Sequence, residues 1–295
     1  AGLTAAIYTT RSDLKTLVLA GLAWGGQLML TTDVENFPRF PDGIKGPQLM
    51  MNMRKQAEKF GAQMVDANMD PVDFTQQKSP FTVTANGKTY KGKVVLIATG
   101  ENSKMLDVPG EKEFGGRGVS YCATCDGAFF RNKEIIVVGG GDSAMEEANF
   151  LTTFASKVRL IHRRDEFKAS AVMVERVKKN PKIEIMLNTR ITEILGTNSV
   201  EKVKLENTQT KEVSELPIQG IFVAIGHTPN SSVFPGLELK EGGYIRAQEG
   251  THTNVDGIFV SGDIEDDRYR QAVTAAGFGT QAALDIEKYL REKSA

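Results

Sequence analysis

Two cysteines, the whole complement of the chain, stand with two residues between them in Tyr121-Cys122-Ala123-Thr124-Cys125-Asp126-Gly127. A Cys-x-x-Cys pair beside an alternating strand and helix pattern reads as a redox dithiol. The spacing lets the two sulfurs close a small ring and reopen it. The thiolate is the reacting species, so a nearby helix terminus or cation matters. Asp126 follows Cys125 directly and suits the task of carrying the proton of the leaving thiol. A zinc half-site is the first alternative. It needs two further ligands, and His162, His227 and His252 include no pair at ligand spacing. Two inert buried thiols are the second. Gly127 and the polar Thr124 and Asp126 speak against burial of that stretch.

A second motif has the form of a phosphate-binding turn. Gly139-x-Gly141-x-x-Ala144 follows the β-branched run Ile135-Ile136-Val137-Val138 and opens a helical pattern through Asp142 and Ser143. In that context the first glycine allows a tight turn. The second lets the backbone approach a pyrophosphate, and Ala144 lets helix and strand pack closely. The helix N-terminus offers free N–H groups to the phosphates. The end of the next strand selects the dinucleotide. A carboxylate there would accept the ribose 2′-hydroxyl of NAD. This chain has His162, Arg163 and Arg164, with Lys168 a helical turn on, which suits the 2′-phosphate of NADPH. The bland alternative is a solvated basic face.

A dithiol and a reduced nicotinamide do not exchange electrons directly. One gives a hydride and the other takes two electrons through a sulfur-bound intermediate, and a flavin commonly bridges them. The sequence therefore calls for FAD on a second nucleotide unit, and the first part of the chain is the candidate.

The pattern of elements agrees. The spacing predicts a helix over 1–11, a strand over 16–19, a loop at Gly25-Gly26-Gln27 and a helix over 47–60. A hairpin turns at Asn86-Gly87. A strand over 93–97 ends at Ala98-Thr99-Gly100. The pattern then restarts with strands over 134–138 and 157–161, and helices over 141–154 and 169–179. Strands over 183–186, 203–206 and 220–226 follow, the last ending at Ala224-Ile225-Gly226. A segment over 257–263 and a helix over 272–291 close the chain. The repeat implies an α/β protein with two Rossmann-like units and largely parallel sheets.

Composition is consistent with this. The chain has 295 residues, 40% apolar and 25% charged, with a net charge of −1. That gives no sign of a nucleic-acid or membrane-surface partner. No apolar run approaches the ~18 residues that span a bilayer. Two cysteines are too few for a secreted disulfide framework. These features predict a cytoplasmic protein with no metal site.

The residues 121–130, Gly139–Leu151, His162-Arg163-Arg164-Asp165 and 224–229 closely resemble the low-molecular-weight thioredoxin reductases. So do Gly25-Gly26-Gln27-Leu28, 34–38 and 262–276, and the resemblance spans essentially the whole chain. It implies a homodimer with a split FAD domain, 1–105 and 233–295, and an NADPH domain with the dithiol, 106–232, inserted between three-layer ββα units. Gly21, Gly25, Gly26, Gln27, Leu28 and Asn36 match flavin contacts of that family, and Thr99 and Gly100 end the matching strand. Gly262 and Asp263 match its Gly-Asp element. Arg270, Gln271 and Ala272 match the element that opens the last helix beside the isoalloxazine ring, where a helix N-terminus favours the reduced anion. Ile225 and Gly226 join Gly139, Gly141, Asp142, Ser143, Ala144, His162, Arg163, Arg164 and Lys168 on the NADPH side. The resemblance also implies hinges near 104–108 and 228–232, and thioredoxin as the substrate of the dithiol. Which cysteine faces the flavin is left open.

The chain departs from the family in three places. It opens at Ala1-Gly2, which matches only the last part of the family's first glycine motif. We therefore expect the first strand, and the glycines that cradle the FAD pyrophosphate, to be missing from this sequence. Ala20 stands where some relatives have an acid, and Lys168 replaces an arginine. Two other functions stay in view. One is a related flavin disulfide reductase for a different protein partner. The other is a non-catalytic nucleotide-binding protein, in case FAD is not held.

Overall fold

Ile135, Ile136 and Val137 have no exposed surface, as expected of β-branched residues in a parallel strand covered on both faces. They belong to Glu134–Val138, the third strand of a five-stranded parallel sheet in the computed structural model. The sheet order is Ile183–Met186, Lys157–Ile161, Glu134–Val138, Ile221–Val223 and Val119–Ser120. Val138 stands opposite Ile161 on one side and Val223 on the other. The structure describes every residue except Thr32 and Ala295, and the side chain of Ser294 is not described.

The chain divides into two compact units. Residues 103–227 form one, and residues 1–102 with 228–295 form the other, so the first is inserted into the second. The helices are α1 (Gly2–Arg11), α2 (Gly46–Lys59), α3 (Ala123–Asp126), α4 (Asp142–Leu151), α5 (Ala171–Lys179) and α6 (Ala272–Ser294). In the inserted unit, α4 and α5 cover one face of the sheet. Their Ala144, Met145, Ala148, Leu151 and Val177 are buried with Val137, Leu160 and Phe222. The antiparallel meander Thr189–Gly196, Val200–Asn207 and Val213–Pro217 covers the other face, burying Ile191, Ile194 and Val203 against Ile136 and Ile221. This is a three-layer unit with its core on both sides of one sheet.

The split unit is built likewise from parallel strand pairs. Leu17–Leu19 pairs with Gln63–Val65, and Val95–Ile97 pairs with Ile258–Val260. Among the described residues no strand joins these two pairs. The hairpin Phe81–Ala85 and Lys88–Gly92 turns at Asn86 and Gly87, both at positive φ, as a two-residue hairpin of this kind requires. Phe74, Phe81, Ile97, Phe234 and Ile258 form its core.

Several local expectations change, among them the strands expected over 220–226 and 93–97, which are Ile221–Val223 and Val95–Ile97. Residues 26–29 form a short 3₁₀ helix where a loop was expected. The helix expected over 141–154 ends at Leu151, followed by turns that close with Ala155 N–H on the carbonyl of Leu151. The strand expected over 203–206 extends to Val200–Asn207. The strands Thr189–Gly196 and Val213–Pro217 were not anticipated.

Phe222 is fully buried and meets Phe130 edge-on at 5.0 Å. Phe222→Ala should cost about 3–5 kcal/mol in the inserted unit, seen as a lower urea midpoint. An unchanged midpoint would mean that the site refills without loss.

Candidate redox and nucleotide sites

Strand Val119–Ser120 delivers the chain to the cysteines. Cys122 and Cys125 are joined in a disulfide, with Cα atoms 5.3 Å apart. Cys122 caps α3, its sulfur accepting the N–H of Cys125 at 3.2 Å. Both cysteines are half-buried and Thr124 is exposed, so the pair sits at the surface and not in the core.

Asp126 lies at the end of α3, and its carboxyl is held by Ser120, which belongs to no sequence motif. Buried Ser120 donates its hydroxyl to Asp126 Oδ2 at 2.5 Å and accepts the N–H of Cys122 at 3.1 Å. Burial pushes the Asp126 carboxyl above the usual range, and the Ser120 hydrogen bond opposes that. An acid kept protonated to higher pH is suited to giving a proton to a departing thiolate. Tyr121 donates to Glu111, a buried carboxylate that also accepts the N–H groups of Leu106 and Asp107. Glu111 thereby ties residues 106–107, in the expected hinge 104–108, to the segment that carries Cys122.

The glycine turn at the end of Glu134–Val138 is explained by packing. Gly139 and Gly141 are not in the left-handed region, so the tight turn expected of Gly139 does not rest on its dihedral angles. A Cβ on Gly139 would lie 2.3 Å from the Ala224 carbonyl oxygen and 2.6 Å from the Ala144 Cβ. A Cβ on Gly140 would lie 2.2 Å from the His162 ring, whereas one on Gly141 would meet nothing within 4 Å. Gly141 and Ser143 are exposed at the N-terminus of α4, an open approach for a phosphate. Asp142 is exposed and braces the neighbouring loop, accepting from the Ser170 N–H and hydroxyl at 2.8 and 3.0 Å.

The end of Lys157–Ile161 brings the basic residues beside this turn. Lys168 N–H bonds the Gly140 carbonyl at 2.7 Å, and the side chains of Arg163, Arg164 and Lys168 are exposed. His162 behaves differently. Burial, with Arg164, Arg163 and Lys168 nearby, holds its pKa below the ordinary value. Its Nε2 is buried without a hydrogen-bond partner. His162 is therefore a neutral ring over the glycine turn, and the positive charge comes from the other three. Ile225 and Gly226 leave the neighbouring strand Ile221–Val223 at the same edge, and Gly226 accepts the Lys104 N–H.

In the split unit, parallel strands also send their candidate residues to one edge. Val95–Ile97 ends at Thr99 and Gly100, and Ile258–Val260 ends at Gly262 and Asp263. Asn230, not selected from sequence, holds the first pair by bonding the Thr99 carbonyl and hydroxyl and donating its own N–H to the Gly100 carbonyl. Gln27 donates to the Glu101 carbonyl at 3.0 Å, and Asn36 donates to Gln271 at 3.2 Å. Gly21, Gly25 and Gly26 are at positive φ, and Leu28 lies in the short helix that follows. Asp263 Oδ1 is buried without a hydrogen-bond partner. Such an acceptor fits a polyhydroxylated chain such as the ribitol of a flavin. Arg270 has its side chain on Tyr244 and Glu101, and Ala272 opens α6.

The chain matches the pyridine nucleotide-disulphide oxidoreductase family over residues 1–279. It is 51% identical over 296 residues to a thioredoxin reductase of Mycolicibacterium smegmatis, covering 99% of this chain and 94% of that one. Two solved structures are similar throughout. Thioredoxin reductase from Giardia duodenalis has 42% identity and a TM-score of 0.92, with 98% and 95% of the two chains covered. That of Streptococcus pyogenes has 38% identity and a TM-score of 0.94, with 99% and 95% covered. The chain belongs to the pyridine nucleotide-disulphide oxidoreductases, in the thioredoxin reductase group. Its fold is theirs, two Rossmann-like units with one inserted into the other. Among the described residues no helix is long and apolar enough to cross a membrane.

Gly139→Ala tests the packing account of the glycine turn. A methyl forced against a backbone carbonyl should lower stability by about 1–3 kcal/mol, measured as a fall in the urea midpoint. A neutral result would return the glycine's role to the ligand alone.

Proposed function

We propose that the chain is a thioredoxin-disulfide reductase that uses NADPH and FAD. One observation carries the proposal: a surface disulfide with a buried carboxyl beside it, in the same parallel unit as an open glycine turn flanked by three cations. Gly139, Gly141, Ser143 and Ala144 form the phosphate turn, with Asp142 bracing its neighbouring loop. Arg163, Arg164 and Lys168 would take the 2′-phosphate, with Ile225 and Gly226 beside them. Gly21, Gly25, Gly26, Gln27, Leu28, Asn36, Thr99, Gly100, Gly262, Asp263, Gln271 and Ala272 would hold FAD, and the unpartnered Asp263 oxygen supports that. In this reading residues 103–227 are the NADPH unit and the split unit is the FAD unit.

When bound, the two cofactors supply the pair of electrons. The remaining events belong to the protein. Two electrons enter the Cys122–Cys125 bond, which breaks. One sulfur departs as a thiolate and takes the proton of Asp126, leaving a carboxylate that Ser120 stabilises. A cysteine thiolate then attacks the thioredoxin disulfide, forming a mixed disulfide and releasing one thioredoxin sulfur. The second cysteine attacks the mixed disulfide, restores Cys122–Cys125 and frees the reduced thioredoxin. A homodimer and a cytoplasmic setting belong to the same reading. The first is supported by the resemblance alone, and the second by a disulfide that must be kept reducible.

The visible spectrum of the purified protein, before and after NADPH without oxygen, tests the cofactors. Flavin bands that bleach are expected. Cys122→Ser and Cys125→Ser should each abolish thioredoxin reduction while the bands still bleach. Thioredoxin turnover surviving in both variants would remove the dithiol from the mechanism. A colourless protein that takes up no FAD would favour a nucleotide-binding protein without this activity. Arg163→Ala with Arg164→Ala should raise the NADPH KM on the order of tenfold or more with little change for NADH. Equal effects on the two would reassign the basic face to solvent.

A further inference from the structure

Three segments of the split unit meet on Glu101, a residue with no motif of its own in the sequence. Glu101 follows Gly100, and its side chain is 2% exposed. The Tyr244 hydroxyl donates to Oε2 at 2.5 Å. Arg270 lies on the other side, its Nε 3.4 Å from Oε1 and its Nη2 donating to the Tyr244 hydroxyl at 3.0 Å. The main-chain oxygen of Glu101 accepts from Gln27. One residue therefore joins the 26–29 helix, the end of the strand at 99–100 and the turn before α6.

That turn is strained. Arg270 has φ 50, a left-handed conformation that is costly away from glycine. Asp266 holds it by accepting the N–H groups of Arg268, Tyr269 and Arg270 at 3.0, 2.8 and 3.0 Å. Two residues later α6 begins with Ala272, where the first amides have no intrahelical partners.

We propose that Glu101 is a positioning residue of the flavin pocket: through Tyr244 it fixes Arg270 and the start of α6, and it takes up a proton when the ring held there is reduced. This rests on the reading that the split unit holds FAD. With the carboxyl ionised, Arg270 is neutralised. With it protonated, the guanidinium charge is uncompensated and favours the negative charge that reduction brings. Two electrons and one proton go to the ring, and a further proton goes from solvent to a Glu101 oxygen. No protein bond breaks. The surroundings make the carboxyl titratable near neutrality. Burial raises its pKa, Tyr244 and Arg270 lower it, and Asp263 and Asp266 raise it, with the result pushed up to about 7. Tyr244 itself is pushed up to about 12 and stays protonated. The other charged groups on these segments are Lys240, paired with Glu265 at 2.7 Å, and Glu241, Arg246, Asp267 and Arg268.

Glu101→Gln keeps the size and an acceptor for Tyr244 and removes the titration. The test is the midpoint potential of the bound flavin from pH 6 to 8.5 in both proteins. The wild-type potential should bend near neutrality and fall more steeply above it, while the variant keeps one slope. The thermal midpoint of the flavin-loaded proteins gives a second readout. A carboxyl whose folded pKa is raised binds more protons folded than unfolded between its two pKa values. Its contribution to stability is therefore lost as pH rises to about 7. The variant should gain stability relative to wild type between pH 5 and pH 8. Parallel potential lines with flavin bound would overturn this proposal alone, as would a straight wild-type line if the variant fails to fold. A protein that takes up no flavin would overturn the FAD reading, and this proposal with it.

Discussion

Parallel pairing of Glu134–Val138 between Lys157–Ile161 and Ile221–Val223 is the constraint on which the inserted unit depends. Parallel strands end at the same edge, so one register decides where several loops emerge. Gly139, His162 and Ala224 each follow a strand of this sheet directly, and Ser120 ends the edge strand that leads to Cys122. Residues far apart in sequence thus converge and come into close contact at that edge. The register is in turn fixed by burial, since Ile135, Ile136, Val137, Val158 and Leu160 have no exposed surface and a slip of one residue would exchange the faces.

Close approach then decides the residue types at that edge. The strand-to-helix turn at Gly139 runs against the Ala224 carbonyl, and Gly140 lies under the His162 ring. Both glycines are consequences of sheet geometry, whereas Gly141 has open space at its missing Cβ and no packing reason to be glycine. The sequence motif does not separate these causes, because glycine answers both. His162 shows the same limit. The sequence groups it with three cations, and the packing that places it over Gly140 also desolvates it, so its pKa is held below the ordinary value.

Features with a local cause were legible in the sequence. The dithiol, the glycine turn, the basic strand end and the Asn86-Gly87 hairpin each rest on neighbours in the chain. The strands Thr189–Gly196 and Val213–Pro217 were not. A bulge between Ile191 and Glu193 puts Ile191 and Ile194 on the same buried side, which destroys the two-residue period. Val213–Pro217 is largely exposed along its length and carries no apolar alternation. The residues that hold the sites were illegible for a different reason. Ser120, Asn230, Glu101 and Tyr244 act on partners 6, 131, 143 and 26 positions away, and nothing in a local pattern marks such pairs.

Two of these long-range pairs share a design. Asp126 and Glu101 are carboxyls taken out of water, and each receives one short hydrogen bond, from Ser120 and from Tyr244. At Glu101 Arg270 also lowers the pKa while Asp263 and Asp266 raise it; at both carboxyls burial raises the pKa and the hydroxyl lowers it. A lysine in its place would hold the group ionised across the working range. Isolation without any donor would leave a buried acceptor unsatisfied whenever the proton left. The surface carboxylates show the contrast. Glu184 and Glu215, paired with lysine or arginine, are held below the usual range and so stay charged near neutrality. At Asp126 and Glu101 the cost of burial outweighs the partners, which is where they differ from the surface pairs. Asp126 and Glu101 are hydroxyl-held carboxyls with raised pKa, and they stand at the two places where an electron pair is proposed to arrive.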